Sequence, residues 1–128
     1  MDHSQGDPRK IIWDQLKETG FDGIQVFNNQ LLLVTYKRPE KTASGIILTA
    51  KARDEDVYQG IVGLVVKKGP RAFMDDDTVK FYEQNVNVGD WVFYHIGDCR
   101  KMSLGKVDCR LIDDIYIKGT VSHPDDVY

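Results

Sequence analysis

Two runs in this chain have the composition of buried β-strands, Leu31-Leu32-Leu33-Val34-Thr35-Tyr36 and Gly60-Ile61-Val62-Gly63-Leu64-Val65-Val66, and a long polar excursion over residues 37–59 separates them. Aliphatic and β-branched runs of this length are strands that need partners in a sheet. An insertion this long inside a compact domain costs conformational entropy that few contacts offset, so such loops usually carry function. Lys37, Arg38, Glu40, Lys41, Lys51, Arg53, Asp54, Glu55 and Asp56 surround one apolar triplet, Ile46-Ile47-Leu48, preceded by Gly45.

Gly45 admits backbone angles that a Cβ would oppose. Burying Ile46, Ile47 and Leu48 together is worth roughly 5 kcal/mol of gross transfer free energy. Ordering a loop around them removes much of that gain. Two readings stay open at this point. Either the triplet is a short strand buried in its own domain, or it is a hook for a partner, weak per copy and effective only when repeated in an oligomer.

A chain of 128 residues makes one domain with a real core. Many short strands, Gly-containing turns and a single helical pattern predict an all-β fold, a small barrel with an appended short N-terminal helix. The helix follows Asp7 as N-cap, with Pro8 in its first turn, Ile12 and Leu16 four apart, Trp13 widening the stripe and Gly20 as terminator. Three turns do not stand alone in water, so the stripe of Ile12, Trp13 and Leu16 must dock. Its own barrel is one surface; a neighbouring subunit or larger partner is the other. Lys67-Lys68-Gly69-Pro70 reads as a turn by composition. In Val86-Asn87-Val88-Gly89-Asp90-Trp91-Val92-Phe93-Tyr94, alternation puts Val86 and Val88 on one face before a turn at Gly89-Asp90.

Charge and composition exclude several function classes. Lys+Arg of 17 against Asp+Glu of 20 gives no general attraction to nucleic acid or acidic membranes. No apolar run approaches a membrane span. Met1 to Asp7 lacks the regions of a signal peptide, so a cytoplasmic product is expected. Cys99 and Cys109 have no His at metal spacing, so no metal site is expected, and no Gly-rich loop opens a helix, so no nucleotide cofactor is expected either. A disulfide between them is possible if their strands pair, but reduced core thiols fit a cytoplasm better. His95 beside Tyr94 reads as a packed strand residue, Asp75-Asp76-Asp77 as a solvated turn, and no catalytic arrangement of Ser, Cys, His and Asp is evident.

Gly45-Ile46-Ile47-Leu48, set in a Lys/Thr/Ser/Ala-rich segment that opens the strand Gln59-Gly60-Ile61-Val62, resembles the mobile loop of the GroES-type co-chaperonins. Val86-Asn87-Val88-Gly89-Asp90-Trp91-Val92 is similar to that family's Val-x-Val-Gly-Asp-x-Val segment. The resemblance covers about residues 23–121, leaving a helical arm (1–22) and an extended tail (122–128). It implies a GroES-like β-barrel with a first strand at Ile24 to Phe27, a turn at Asn28-Asn29, a long second strand from Gln30 to Tyr36, a mobile loop (37–59) and a roof hairpin over Arg71 to Gln84. Cys109 to Gly119 would close the barrel as a strand, an acidic turn and an apolar last strand.

The resemblance also implies a homo-oligomeric ring, seven subunits in a co-chaperonin. Its Ile46, Ile47 and Leu48 would dock on a GroEL-like chaperonin whose ATPase does the work. Subunit contacts would come from Ile24, Val26 and Phe27 against a neighbour's Ile115 and Ile117, although Gln25-Val26 replaces the family's usual Arg-Pro pair. A second reading keeps the fold in a particle, as a capsid-stabilising or decoration protein of a tailed bacteriophage bound to phage capsid protein, because the arm, the tail and the Gln25-Val26 departure resemble such phage genes. Zinc-dependent alcohol dehydrogenases share a GroES-like domain, but this chain lacks their metal ligands and nucleotide-binding half, so no enzyme is expected.

Overall fold

The computed structural model describes residues 8–37 and 61–127. Six antiparallel strands form one sheet: β1 (Gln30–Thr35), β2 (Val62–Lys68), β3 (Trp91–Tyr94), β4 (Cys99–Leu104), β5 (Val107–Asp113) and β6 (Ile117–Val121), in the order β4-β5-β1-β2-β3-β6. With one short helix, α1 (Pro8–Leu16), this is the expected all-β architecture of a small GroES-like barrel. β1 sits between β5 and β2 and is buried on both faces. Alternation sends Leu32 and Val34 into one apolar cluster and Leu31 and Leu33 into the other.

The N-terminal stripe docks on its own barrel. Ile12 and Leu16 are 6% and 1% exposed and join Leu32, Leu64 and Trp91 in the first cluster. Arg9 fixes the helix start: its Nε donates to the Gly89 carbonyl at 2.8 Å, and its guanidinium lies 5.7 Å from the Trp91 ring centroid. At the other end the Thr19 hydroxyl donates to the Leu16 carbonyl at 2.7 Å, satisfying an orphan acceptor of the last turn.

Several expectations are corrected. β2 runs through Lys67 and Lys68, which pair with Leu32 and Leu31, so the turn begins only at Gly69. The lysine stems lie along apolar surface while the ammonium groups find acceptors, Lys67 Nζ on the Ile24 carbonyl at 2.7 Å and Lys68 Nζ on Asn85 Oδ1 at 2.8 Å. Gly69 is required at the turn, because a Cβ there would collide with the carbonyl oxygens of Asn28 and Phe27. Ile24 to Phe27 forms no strand within the protomer: the Ile24 carbonyl is taken by Lys67 and the Phe27 carbonyl accepts from the Gln30 amide at 3.3 Å.

No strand ladder forms over Arg71 to Gln84 either, so the roof hairpin is a succession of turns. Carboxylates take the amides that a ladder would have paired: Asp76 Oδ1 accepts from Thr78 and Val79, and Asp75 Oδ1 from Phe81, each at 2.7 Å. Phe73, Tyr82 and Glu83 adopt positive φ there. Val86 is buried but Val88 is 51% exposed, because the turn starts at Val88 itself. His95 is exposed rather than packed, its Nδ1 accepting from the Gly97 amide at 3.1 Å. The segment after β6 is a 3-10 turn, Pro124–Val127, seated by a buried Pro124, not an extended tail.

These placements predict that α1 is part of the folding unit. Leu16→Ala should cost about 3 kcal/mol, as expected for truncating a fully buried leucine. Urea unfolding measures it; a midpoint equal to that of the parent protein would put the helix outside the core.

Candidate partner-binding site

The excursion between β1 and β2 leaves and returns on adjacent strands. Thr35 lies opposite Gly63, the Tyr36 amide donates to the Val62 carbonyl at 2.9 Å, and the Tyr94 amide donates to the Ile61 carbonyl at 2.9 Å. Both ends of the segment are therefore fixed about one strand spacing apart, near 5 Å. The Tyr36 ring meets Trp91 edge-on with centroids 5.4 Å apart, and its hydroxyl donates to Asp125 Oδ1 at 2.6 Å. The candidate hook, Gly45, Ile46, Ile47 and Leu48, lies outside the described residues.

The candidate subunit contacts divide by burial. Phe27 and Ile115 are 60% and 48% exposed, whereas Val26 is buried in the first cluster and Ile24 packs against it half-buried. Ile117 is half-buried against the second cluster. One knot ties the two contact segments together: Asn29 Nδ2 donates to Asp114 Oδ1 at 3.0 Å and the Asp114 amide donates to the Asn29 carbonyl at 3.0 Å. Asp114 Oδ2 also accepts from the Phe73 amide at 2.9 Å, so one buried carboxylate joins three loops. Of the candidate docking stripe, Ile12 and Leu16 are spent on the core, while Trp13 is half-buried and edge-on to Phe21 at 5.8 Å.

Sequence reasoning missed Asp114, Tyr36 with Asp125, and Arg110. Arg110 is fully buried on β5, with Nη2 3.4 Å from Asp108 Oδ2. Nothing in the local pattern marks these residues, because their partners come from distant parts of the chain or from a strand face that only the register defines. Among the described residues no group of three or more His, Cys, Asp and Glu could hold a metal ion, and no helix is long and apolar enough to cross a membrane.

Cys99 and Cys109 are free thiols. β4 pairs with β5, but Cys99 stands opposite Ile112 and Cys109 opposite Met102. The thiols therefore belong to opposite apolar clusters, which rules out a bridge between them. Burial raises both thiols above the ordinary range, Cys109 to about 11.

A family model described as Chaperonin 10 Kd subunit matches residues 23–121. The match leaves α1 and the Pro124–Val127 turn outside it. A search of curated proteins finds no match.

The raised thiol gives a pH signature. A group whose pKa is higher in the folded state stabilises fully below its unfolded value and loses that contribution as pH rises through the folded one. The window for Cys109 runs from 9.0 to about 11, and the loss across it is on the order of 2 kcal/mol. Urea midpoints at pH 8 and pH 10.5 should diverge less in Cys109→Ala than in the parent. Equal divergence in the two proteins would show that the thiol is not buried as described.

Proposed function

The chain belongs to the Chaperonin 10 Kd subunit family, the GroES-type co-chaperonins, and from that premise we propose that it caps an ATP-driven chaperonin through Gly45, Ile46, Ile47 and Leu48. The family is one of soluble cytoplasmic homo-oligomers that work with a GroEL-like chaperonin and are not enzymes. The observation that supports the finer reading is the extent of the match, residues 23–121, whose bounds enclose the segment holding the triplet. The loop root supports it. The residues that flank the segment, Tyr36 and Ile61, are tied by backbone hydrogen bonds to buried strands, a rigid base for a partner-binding loop.

The same reading assigns a ring, taken as seven subunits, in which each copy contributes one weak apolar contact. Fixing the copies on a common ring turns the later docking events into intramolecular ones, so affinity grows with repetition. β6 is an edge strand among the described residues, and an open edge is a ready partner for another chain. Ile24, Val26 and Phe27 of one subunit are the segment we place against a neighbour's Ile115 and Ile117, with the exposed Phe27 and Ile115 making the contact and the other three supporting it from within the protomer. Nucleotide hydrolysis belongs to the chaperonin, and this chain supplies binding surface without a cofactor. The capsid-decoration alternative draws no support from the fold or the family match.

The triplet is tested by Ile47→Ser. Thermal stability should stay within about 0.5 kcal/mol of the parent, while each subunit loses about 1 to 3 kcal/mol of contact and the ring loses capping. A variant that binds a GroEL-type chaperonin as well as the parent, or that melts several degrees lower, contradicts the assignment.

The ring is tested at Phe27, since a charge at half-buried Ile117 would damage the second cluster as well as an interface. Phe27→Asp should dissociate the oligomer with little change in circular dichroism, because the ring is exposed in the protomer and a carboxylate in an apolar interface is costly. Unchanged mass in light scattering would remove Phe27 from the interface.

A further inference from the structure

A hydrogen bond joins Tyr36, at the root of the segment between β1 and β2, to Asp125, which lies beyond the family match. Tyr36 holds the root in three ways. Its amide donates to the Val62 carbonyl, its ring lies edge-on to Trp91, and its hydroxyl donates to Asp125 Oδ1 at 2.6 Å across 89 residues of sequence. A phenol on a carboxylate is a short, charge-assisted bond, among the stronger a half-buried pair can make.

Asp125 is itself held. Pro124 beside it is buried, and the Asp125 amide donates to His123 Nδ1 at 3.2 Å, closing the 3-10 turn that packs beside β2 and β6. The family match ends at residue 121, so this turn is an addition to the common fold. The other addition, α1, reaches Trp91 through the Arg9 guanidinium. One addition thus bonds Tyr36 itself, and the other meets the ring against which Tyr36 packs.

We propose that Asp125 is a positioning residue for partner binding: through the Tyr36 hydroxyl it fixes the root of the segment between β1 and β2, so that residues outside the common fold set the affinity of the hook. The effect on affinity rests on the co-chaperonin reading. A root already held in the free protein has less freedom to lose when the segment docks, and that saving appears as tighter binding. The bond to Asp125 holds Tyr36 through its side chain, while the ladder pairs of β1 with β2 hold the strand as far as Thr35.

The test uses the full chain as Asp125→Ala, Asp125→Asn, Tyr36→Phe and the Ala/Phe double variant. Amide exchange at Tyr36 is compared with exchange at Leu32 in the centre of β1, and affinity is measured on a GroEL-type chaperonin with nucleotide. Asp125→Ala and Tyr36→Phe should each speed exchange at Tyr36 about tenfold while Leu32 stays as in the parent. The double variant should be no faster than either single one, and Asp125→Asn, whose amide oxygen still accepts from the phenol, should recover part of the protection. Chaperonin affinity should fall at least severalfold for Asp125→Ala and partly return for Asp125→Asn. Unchanged exchange at Tyr36, additive effects in the double variant, no rescue by Asn, or unchanged affinity in Asp125→Ala would each overturn the proposal. If the parent protein fails to bind the chaperonin, the co-chaperonin reading falls, and the exchange data alone decide whether Asp125 braces the root.

Discussion

Burial of β1 on both faces is the constraint on which the other features of this molecule depend. A strand with apolar residues at every position from Leu31 to Val34 cannot lie at a solvated sheet surface, so both faces must be covered and both edges paired. α1 covers one face with Ile12 and Leu16; Ala72, Val86 and Val92 cover the other. The two ends of the strand then fix the two regions of interest. At its start, Asn29 meets Asp114, and through Phe73 the same carboxylate holds the turns that follow β2. At its end, Tyr36 forms the root of the segment that carries the apolar triplet.

Much of this was legible in residue patterns. The runs at 31–36 and 60–66 announced the central pair of strands because β-branched and aliphatic side chains suit a doubly buried sheet. Pro8 and the Ile12/Leu16 spacing announced the helix, while the Asp7 cap lies outside the described residues. Composition failed where a side chain has two characters. Lys67 and Lys68 looked like turn residues, yet their stems pack while their ammonium groups reach the Ile24 carbonyl and Asn85. Val88 looked like a partner for Val86, but the turn begins one residue earlier than the Gly-Asp pair suggests. Over Arg71 to Gln84, Asp75 and Asp76 hydrogen-bond nearby backbone amides and replace a ladder with turns, a competition that a strand pattern does not reveal.

The contacts that position the candidate site were not legible at all. Asn29 and Asp114 are separated by 85 residues, Tyr36 and Asp125 by 89. Each is an ordinary polar residue in a loop or at a strand end, and only the fold gives it a partner. The helix stripe was legible as apolar, but which surface it would meet depended on how β1, β2 and β3 bring Leu32, Leu64 and Trp91 together. The apolar triplet, by contrast, stands out in sequence because it is apolar where its neighbours are charged.

The common fold and the two additions therefore divide the work. Residues 23–121 supply the family's barrel and the segment with the proposed hook, while α1 reaches Trp91 and the Pro124–Val127 turn reaches Tyr36 from outside that range. The central claim is that Gly45 to Leu48 is a binding element held by this frame and not a strand of the barrel's own core. Amide hydrogen exchange over residues 45–48, followed in the free protein and after addition of a GroEL-type chaperonin with nucleotide, tests it most directly. Rapid exchange in the free protein that becomes strongly protected in the complex, with β1 and β2 unchanged, is the result this account predicts. Protection in the free protein equal to that of β1, with no change when the chaperonin is added, would contradict it.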